Sequence, residues 1–257
     1  MNGPQWILLT LVSGWSLACA SCGDEPVQGG NQLTSDDAAA GRDRPFDPRA
    51  AAMVSRQIER RGIDNEAVLA AMRRVPRHRF VPESLATQAY DDSPLPIGLG
   101  QTISQPYIVA FMTAALRLDG DAKVLEVGTG SGYQAAVLGE IAREVYTIEI
   151  LPELAASAAS ILGELGYDNV HGREGDGYRG WSEHAPFDAI MVTAAPDHIP
   201  QPLIEQLAIG GRMIIPVGDQ SQDLILIEVT DAGVTKRSVL PVRFVPMTGE
   251  ARQSADR

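Results

Sequence analysis

Three carboxylates and three glycines could act together in this chain. Glu126 stands inside the apolar run 124–127. Glu149 closes the run VYTIEI at 145–150, 21 residues after Gly128, and the pair Asp176-Gly177 follows a third short run. Between the first two acids lies Gly128-Thr129-Gly130-Ser131-Gly132, where glycine permits a tight turn and close backbone approach by a ligand. A strand, this turn and a helix over 133–142 make the arrangement that aims backbone N–H groups and a helix mouth at a nucleotide. Dinucleotide spacing is not met, because the third glycine of G-x-G-x-x-G would fall on Tyr133. Glu126 would repel a pyrophosphate but suits a ligand with cationic groups. S-adenosylmethionine carries an ammonium and a sulfonium, and its ribose hydroxyls suit an acid at Glu149. Asp176 and Gly177 offer a polar pair near its adenine. Ordinary turn glycines and strand-end caps would use the same residue types; the register of all three acids with the turn favours the ligand.

Positioning these residues requires an α/β fold. Apolar spacing predicts a helix over 50–61 ended by Gly62, and a second over 65–74 with Asn65 as N-cap. Residues 75–82 (VPRHRFVP) read as a solvated, charged turn, and 91–101 as a Pro- and Gly-rich loop. A further helix carries Ile108, Phe111, Met112, Ala115 and Leu116 on one face. Ser104 precedes a proline in the first turn of that helix and so reads locally as its N-cap, at a mouth where ligands bind. Beyond the glycine turn, strands and helices alternate: helix 152–165, strand 169–173, strand 187–193, helix 199–207, then strands 211–217, 223–230 and 234–245. Pro241 suits an edge position for the last.

Composition narrows the function. The 257 residues are 44% apolar, enough for one sizeable core, and the net charge is −12 with no basic cluster, which argues against a nucleic-acid partner. The four histidines are scattered, and no Cys/His spacing suggests a metal. Residues 1–22 hold an apolar run, an A-x-A pattern at 18–20 and both cysteines, Cys19 and Cys22, the pattern of a signal or lipoprotein segment. No Lys or Arg precedes that run. Residues 23–45 read as a disordered linker and 46–257 as the folded domain. Cofactor supply points to the cytoplasm, and residues 1–22 to export or a lipid anchor, the one route by which a membrane would be involved.

The domain resembles the protein-L-isoaspartate O-methyltransferases along its length. The resemblance rests on VPRHRFVP (75–82), QTISQPYIVAFM (101–112), VLEVGTGSGYQAAVL (124–138), YTIEI (146–150), GDGYRGW (175–181), FDAIMVTAAP (187–196), GGRMIIPVG (210–218) and VRFVPMTG (242–249). Many methyltransferases share the glycine turn; the TISQP loop and FVPMTG are more specific. The resemblance implies a Rossmann-like S-adenosylmethionine-dependent methyltransferase fold, with a mostly parallel central sheet and helices on both faces. It implies methylation of the free carboxyl of L-isoaspartyl (and D-aspartyl) residues in damaged proteins, by a monomer and without a metal. Ser104 takes the place of the active-site serine. Gln101, Thr102, Ile103, Ser104, Val109, Gly128 and the turn after it (Gly130 and Gly132 with it), Glu149, Asp176, Gly177, Thr248 and Gln253 take those of cofactor contacts, and Glu126 joins them from the reading of its charge. A carboxylate acceptor is already ionised at pH 7, so no strong base is required. The competing readings are a methyltransferase of the same fold acting on a small molecule, and a non-catalytic S-adenosylmethionine-binding protein.

Overall fold

Short polar side chains and prolines start the helices. The computed structural model describes residues 47–253, with side chains through Ala251; the segments 1–22 and 23–45 lie outside it. Asp47 accepts the Arg49 N–H and Pro48 opens helix α1, Pro48–Met53. Winding continues through a π-wound stretch, Val54–Ile58, and a 3-10 turn, Glu59–Arg61, to Gly62, whose φ of 87° ends it. The predicted single helix over 50–61 is therefore divided. Met53, Val54 and Ile58 are buried in this winding, and apolar spacing alone does not report the wider turn. Helix α2, Glu66–Arg74, is capped as expected by Asn65, whose Oδ1 accepts the Val68 N–H at 3.1 Å.

The stretch predicted as loop holds a small antiparallel hairpin, β1 (Leu95–Gly98) and β2 (Gln101–Ile103). Its strands are too short for alternation to show among the prolines and glycines. Then follow α3 (Pro106–Leu116), β3 (Lys123–Val127), α4 (Tyr133–Gly139), β4 (Glu144–Glu149), α5 (Pro152–Glu164), β5 (Val170–Glu174) and β6 (Phe187–Val192). The chain ends with α6 (Gln201–Glu205), β7 (Leu207–Val217), β8 (Gln222–Thr230), β9 (Gly233–Val242) and α7 (Glu250–Gln253).

The seven-stranded sheet has the order β5-β4-β3-β6-β7-β8-β9. Strands β3 to β7 run parallel, β8 and β9 antiparallel, and β9 with Pro241 forms an edge as predicted. On one face Val124, Val145, Met191 and Ile214 pack with Met112 and Leu116 of α3 and Leu138 of α4. On the other, Leu125, Ile148, Ile190 and Met213 pack with Leu203 of α6 and with Met247 and Ala251. A third cluster joins α1 and α2 to Val109, Ala110, Tyr133, Val137 and Leu162. Helix α3 thus has two covered sides. Of its predicted face, Ile108, Phe111 and Ala115 are only half-buried, while Val109, Ala110 and Thr113 are buried against the N-terminal helices and α4.

Candidate active site

Chain order turns back between β3 and β6, and there the carboxyl ends of the strands open into a cavity of about 290 Å³. Gln101, Thr102, Ile103, Ser104, Val109, Gly128, Gly130, Glu149, Asp176, Gly177 and Thr248 all line it. Three predicted residues do not join them. Gly132 is the N-cap of α4 and faces Ala158 and Leu162 of α5. The Gln253 side chain lies outside the described part of the structure. Glu126 is fully buried on the sheet face it shares with Val124, where it accepts the Thr147 hydroxyl at 2.5 Å.

Glu126 therefore does not meet a ligand's charge directly. Burial pushes its carboxyl up to about 8, against the lowering effect of the Thr147 hydrogen bond. It acts at one remove: Thr147 Oγ1 also lies 2.6 Å from Thr129 Oγ1, so a hydroxyl chain links Glu126 to the glycine turn.

The turn itself is tied down more than its sequence suggests. Gly128 and Thr129 donate their N–H groups to the Ile148 carbonyl, Gly132 to Thr129, and Gly130 to Glu149 Oε2 at 2.8 Å. These amides are spent within the protein, so the turn gives a ligand close approach rather than an anion cradle. A turn so engaged suits a pyrophosphate poorly. Gly128 (φ 98°) is indispensable here, since a Cβ would sit 2.4 Å from Thr193 Oγ1. That hydroxyl lies 2.6 Å from the Gly128 carbonyl oxygen and 3.0 Å from that of Val127.

Glu149 has two functions in one side chain. Oε2 holds Gly130, and Oε1 accepts the Leu151 N–H at 3.0 Å. Each oxygen keeps a second lone pair for hydroxyls in the cavity. Asp176 is similarly engaged, accepting the Tyr178 N–H on Oδ1 and the Glu250 N–H on Oδ2 at 2.7 Å. The latter bond draws in the C-terminal segment, whose Val245, Pro246, Met247 and Thr248 form one wall of the cavity. Main-chain bonds between Ala195 and both Val245 and Met247 hold the other end of that wall.

Ser104 corrects the local reading. The N-cap of α3 is Gln105, without a side-chain cap, and Ser104 lines the cavity with its hydroxyl bonded to no described residue. Its backbone is fixed from behind by Arg77, whose Nη2 donates to the Ser104 carbonyl at 2.7 Å. Arg77 was expected on a solvated turn, yet it is fully buried. Three basic residues within 77–79 look alike in sequence, and nothing in their spacing marks the one that turns inward. Thr193, Tyr133, Gln134 and Met247 also line the cavity unforeseen; a place just past a strand end was the available signal for Thr193. The described lining residues include the acids Glu149 and Asp176 but no Lys, Arg or His. Among the described residues there is no group of three His, Cys, Asp or Glu side chains able to hold a metal.

These features fit an adenosine-type ligand with cationic groups, set beside a serine hydroxyl. Comparison with known proteins agrees. A sequence model of the protein-L-isoaspartate (D-aspartate) O-methyltransferase family matches residues 49–252. A protein-L-isoaspartate O-methyltransferase of Gloeobacter violaceus is 59% identical over 203 residues, covering 78% of this chain and 99% of that one. One from Opitutus terrae is 59% identical over 200 residues, covering 77% and 86%. A solved protein-L-isoaspartate O-methyltransferase superposes with a TM-score of 0.70 at 28% identity, over 79% of this chain and 66% of that one. A crystal structure from Plasmodium falciparum, named as the same kind of enzyme and in complex with S-adenosyl-L-homocysteine, gives 0.68 at 25% identity, over 80% and 99%.

Proposed function

The chain belongs to the protein-L-isoaspartate (D-aspartate) O-methyltransferase family, and we propose how its cavity divides the work of that family's reaction. The enzyme transfers a methyl group from S-adenosylmethionine to the free carboxyl of L-isoaspartyl and D-aspartyl residues in damaged proteins, which starts their repair. One observation carries the division of labour. A single cavity is lined by Glu149, Asp176 and the close-packed Gly128 and also by Ser104 of the TISQP loop, whose hydroxyl bonds no described residue.

The cofactor supplies an activated methyl group on a sulfonium. Glu149 would hold its ribose hydroxyls, Asp176 and Gly177 would lie near its adenine, and Gly128 and Gly130 would let it approach the turn. Gln101, Thr102, Ile103, Val109 and Thr248 close around it, with Gln253 proposed as a further contact. Ser104 donates a hydrogen bond to the acceptor carboxylate and fixes its direction of attack. It is a positioner, not a nucleophile. Charge is neutralised as the methyl moves, so alignment and exclusion of water supply most of the acceleration. No proton need leave the acceptor, in keeping with a cavity that offers Ser104 no basic partner among the described residues.

We read the active form as a monomer. Among the described residues no helix is long and apolar enough to cross a membrane. We place the catalytic domain in the cytoplasm, where its cofactor is made; mass spectrometry of the mature N-terminus tests this through the fate of residues 1–22. For the acceptor assignment, initial rates with one isoaspartyl peptide should collapse in Ser104→Ala while S-adenosylhomocysteine affinity holds. Equal loss of both would place Ser104 on the cofactor side instead.

A further inference from the structure

We propose that Arg77 is a positioning residue for the methyl acceptor: from behind Ser104 it fixes that residue's peptide and supplies the positive field that draws the substrate carboxylate into place. The proposal rests on the acceptor site assigned above and explains what that site lacks. The substrate group is an anion, the chain carries a net charge of −12, and the described cavity lining holds two carboxylates and no cation. The cofactor's sulfonium offsets part of that repulsion, and a cation fixed in the protein would offset more.

Arg77 is placed to do so. It is 0% exposed, Nε donates to the Ala89 carbonyl and Nη2 to the Ser104 carbonyl, both at 2.7 Å. Its guanidinium lies 4.7 Å from the centroid of the Tyr133 ring, another cavity wall. Among the described residues no carboxylate forms an ion pair with it; the Tyr133 phenol acts on its charge, and Nη1 lacks a hydrogen-bond partner of good geometry. A buried guanidinium without a counter-charge is among the costliest arrangements in a fold. Backbone bonds alone could have been satisfied by a neutral donor. A charge kept one peptide unit behind the acceptor pocket, shielded from water and from carboxylates, acts on whatever anion enters that pocket. Burial lowers the guanidinium's pKa, but arginine remains protonated at physiological pH.

The titratable groups around Arg77 are the phenols of Tyr133 and Tyr90, with His78 and Arg79 beside it in sequence. Those facing the cavity are Tyr133, Glu149 and Asp176. The two acids would raise the pKa of a bound carboxyl; Arg77 would lower it. The Ser104 hydrogen bond lowers it too, so a wild-type depression that Arg77→Met removes, with Ser104 intact, is the diagnostic result.

The test uses the full chain and an isoaspartyl peptide carbon-13 labelled at its free carboxyl. That carboxyl is titrated by NMR in complex with the protein and S-adenosylhomocysteine, which lacks the sulfonium charge. The pKa should fall below that of the free peptide by about one unit. Arg77→Met should abolish the depression and lower kcat/KM for the peptide by about tenfold or more, with S-adenosylhomocysteine affinity within about twofold. Arg77→Lys, which keeps the charge but not the fork, should restore most of the depression. A wild-type pKa equal to or above that of the free peptide overturns the proposal, whether or not Arg77→Met folds. Methylation without the depression rejects Arg77's role alone, whereas no methylation of this peptide by the wild type rejects the family's reaction with it.

Discussion

Ser104 has one role where its neighbours suggested two. Because Gln105 caps α3 and the Ser104 hydroxyl bonds no described residue, Ser104→Ala should change stability by less than about 0.5 kcal/mol. Turnover should fall about tenfold or more, from loss of one hydrogen bond to a charged acceptor. Thermal melts and initial rates on the same samples check both halves. Glu126 makes a prediction of different character. Its folded pKa is about 8 against an ordinary value of 4.5, so between those values the native state keeps a proton that the unfolded chain has released. Stability therefore falls as pH rises through that window, by at most about 1.4 kcal/mol per unit. Glu126→Gln lacks this proton, and its stability relative to the wild type should improve steadily from about pH 5 to 8. Urea denaturation of the cofactor-free proteins at both ends measures it, and a constant difference would contradict the burial of a carboxyl here. The misplacement of Glu126 has a plain cause. Alternation along β3 puts it on the face of Val124, opposite Leu125 and Val127, and its charge carries no sign of that parity.

At the scale of elements, the strand–turn–helix unit around Gly128 was legible because its glycines, its apolar run and the acid at the end of β4 each constrain the backbone. The fate of its N–H groups was not, since Glu149 reaches Gly130 across strands and that contact has no local signature. Glu149→Ala should thus loosen the turn as well as remove the ribose contact. Loss of a charge-assisted hydrogen bond costs about 1.5–3 kcal/mol, so S-adenosylhomocysteine affinity should drop roughly ten- to a hundredfold by calorimetry. Affinity within a factor of two would remove Glu149 from the site. Gly128→Ala should be worse, because the left-handed backbone and the 2.4 Å approach to Thr193 Oγ1 act together. Gly128→Ala with Thr193→Ala relieves only the second, and should recover part of the binding. The hairpin β1–β2 went unread for a complementary reason: with strands of four and three residues, periodicity carries almost no information.

For the whole molecule, the catalytic unit is expected to lie within 46–257, and a chain cut to those residues should keep its melting temperature and its rate on a soluble peptide. A lost rate in a folded truncation would give residues 1–45 a part in the chemistry. The parallel order β5-β4-β3-β6-β7 brings residues distant in sequence, Ser104, Glu149, Asp176, Thr193 and Thr248, to one sheet edge. The alternation of strands and helices made that edge foreseeable. The buried side of the site, with Arg77 behind Ser104, was not, because it depends on helices packed from before the sheet begins. The central claim is that this edge methylates a carboxyl created by damage and leaves ordinary aspartate alone. The most direct measurement supplies labelled S-adenosylmethionine to the purified chain with one peptide made in two forms, isoaspartyl and normal aspartyl. Label should enter the isoaspartyl form as a base-labile methyl ester and leave the normal form unlabelled. Equal labelling of the two, or labelling of neither, would contradict the account.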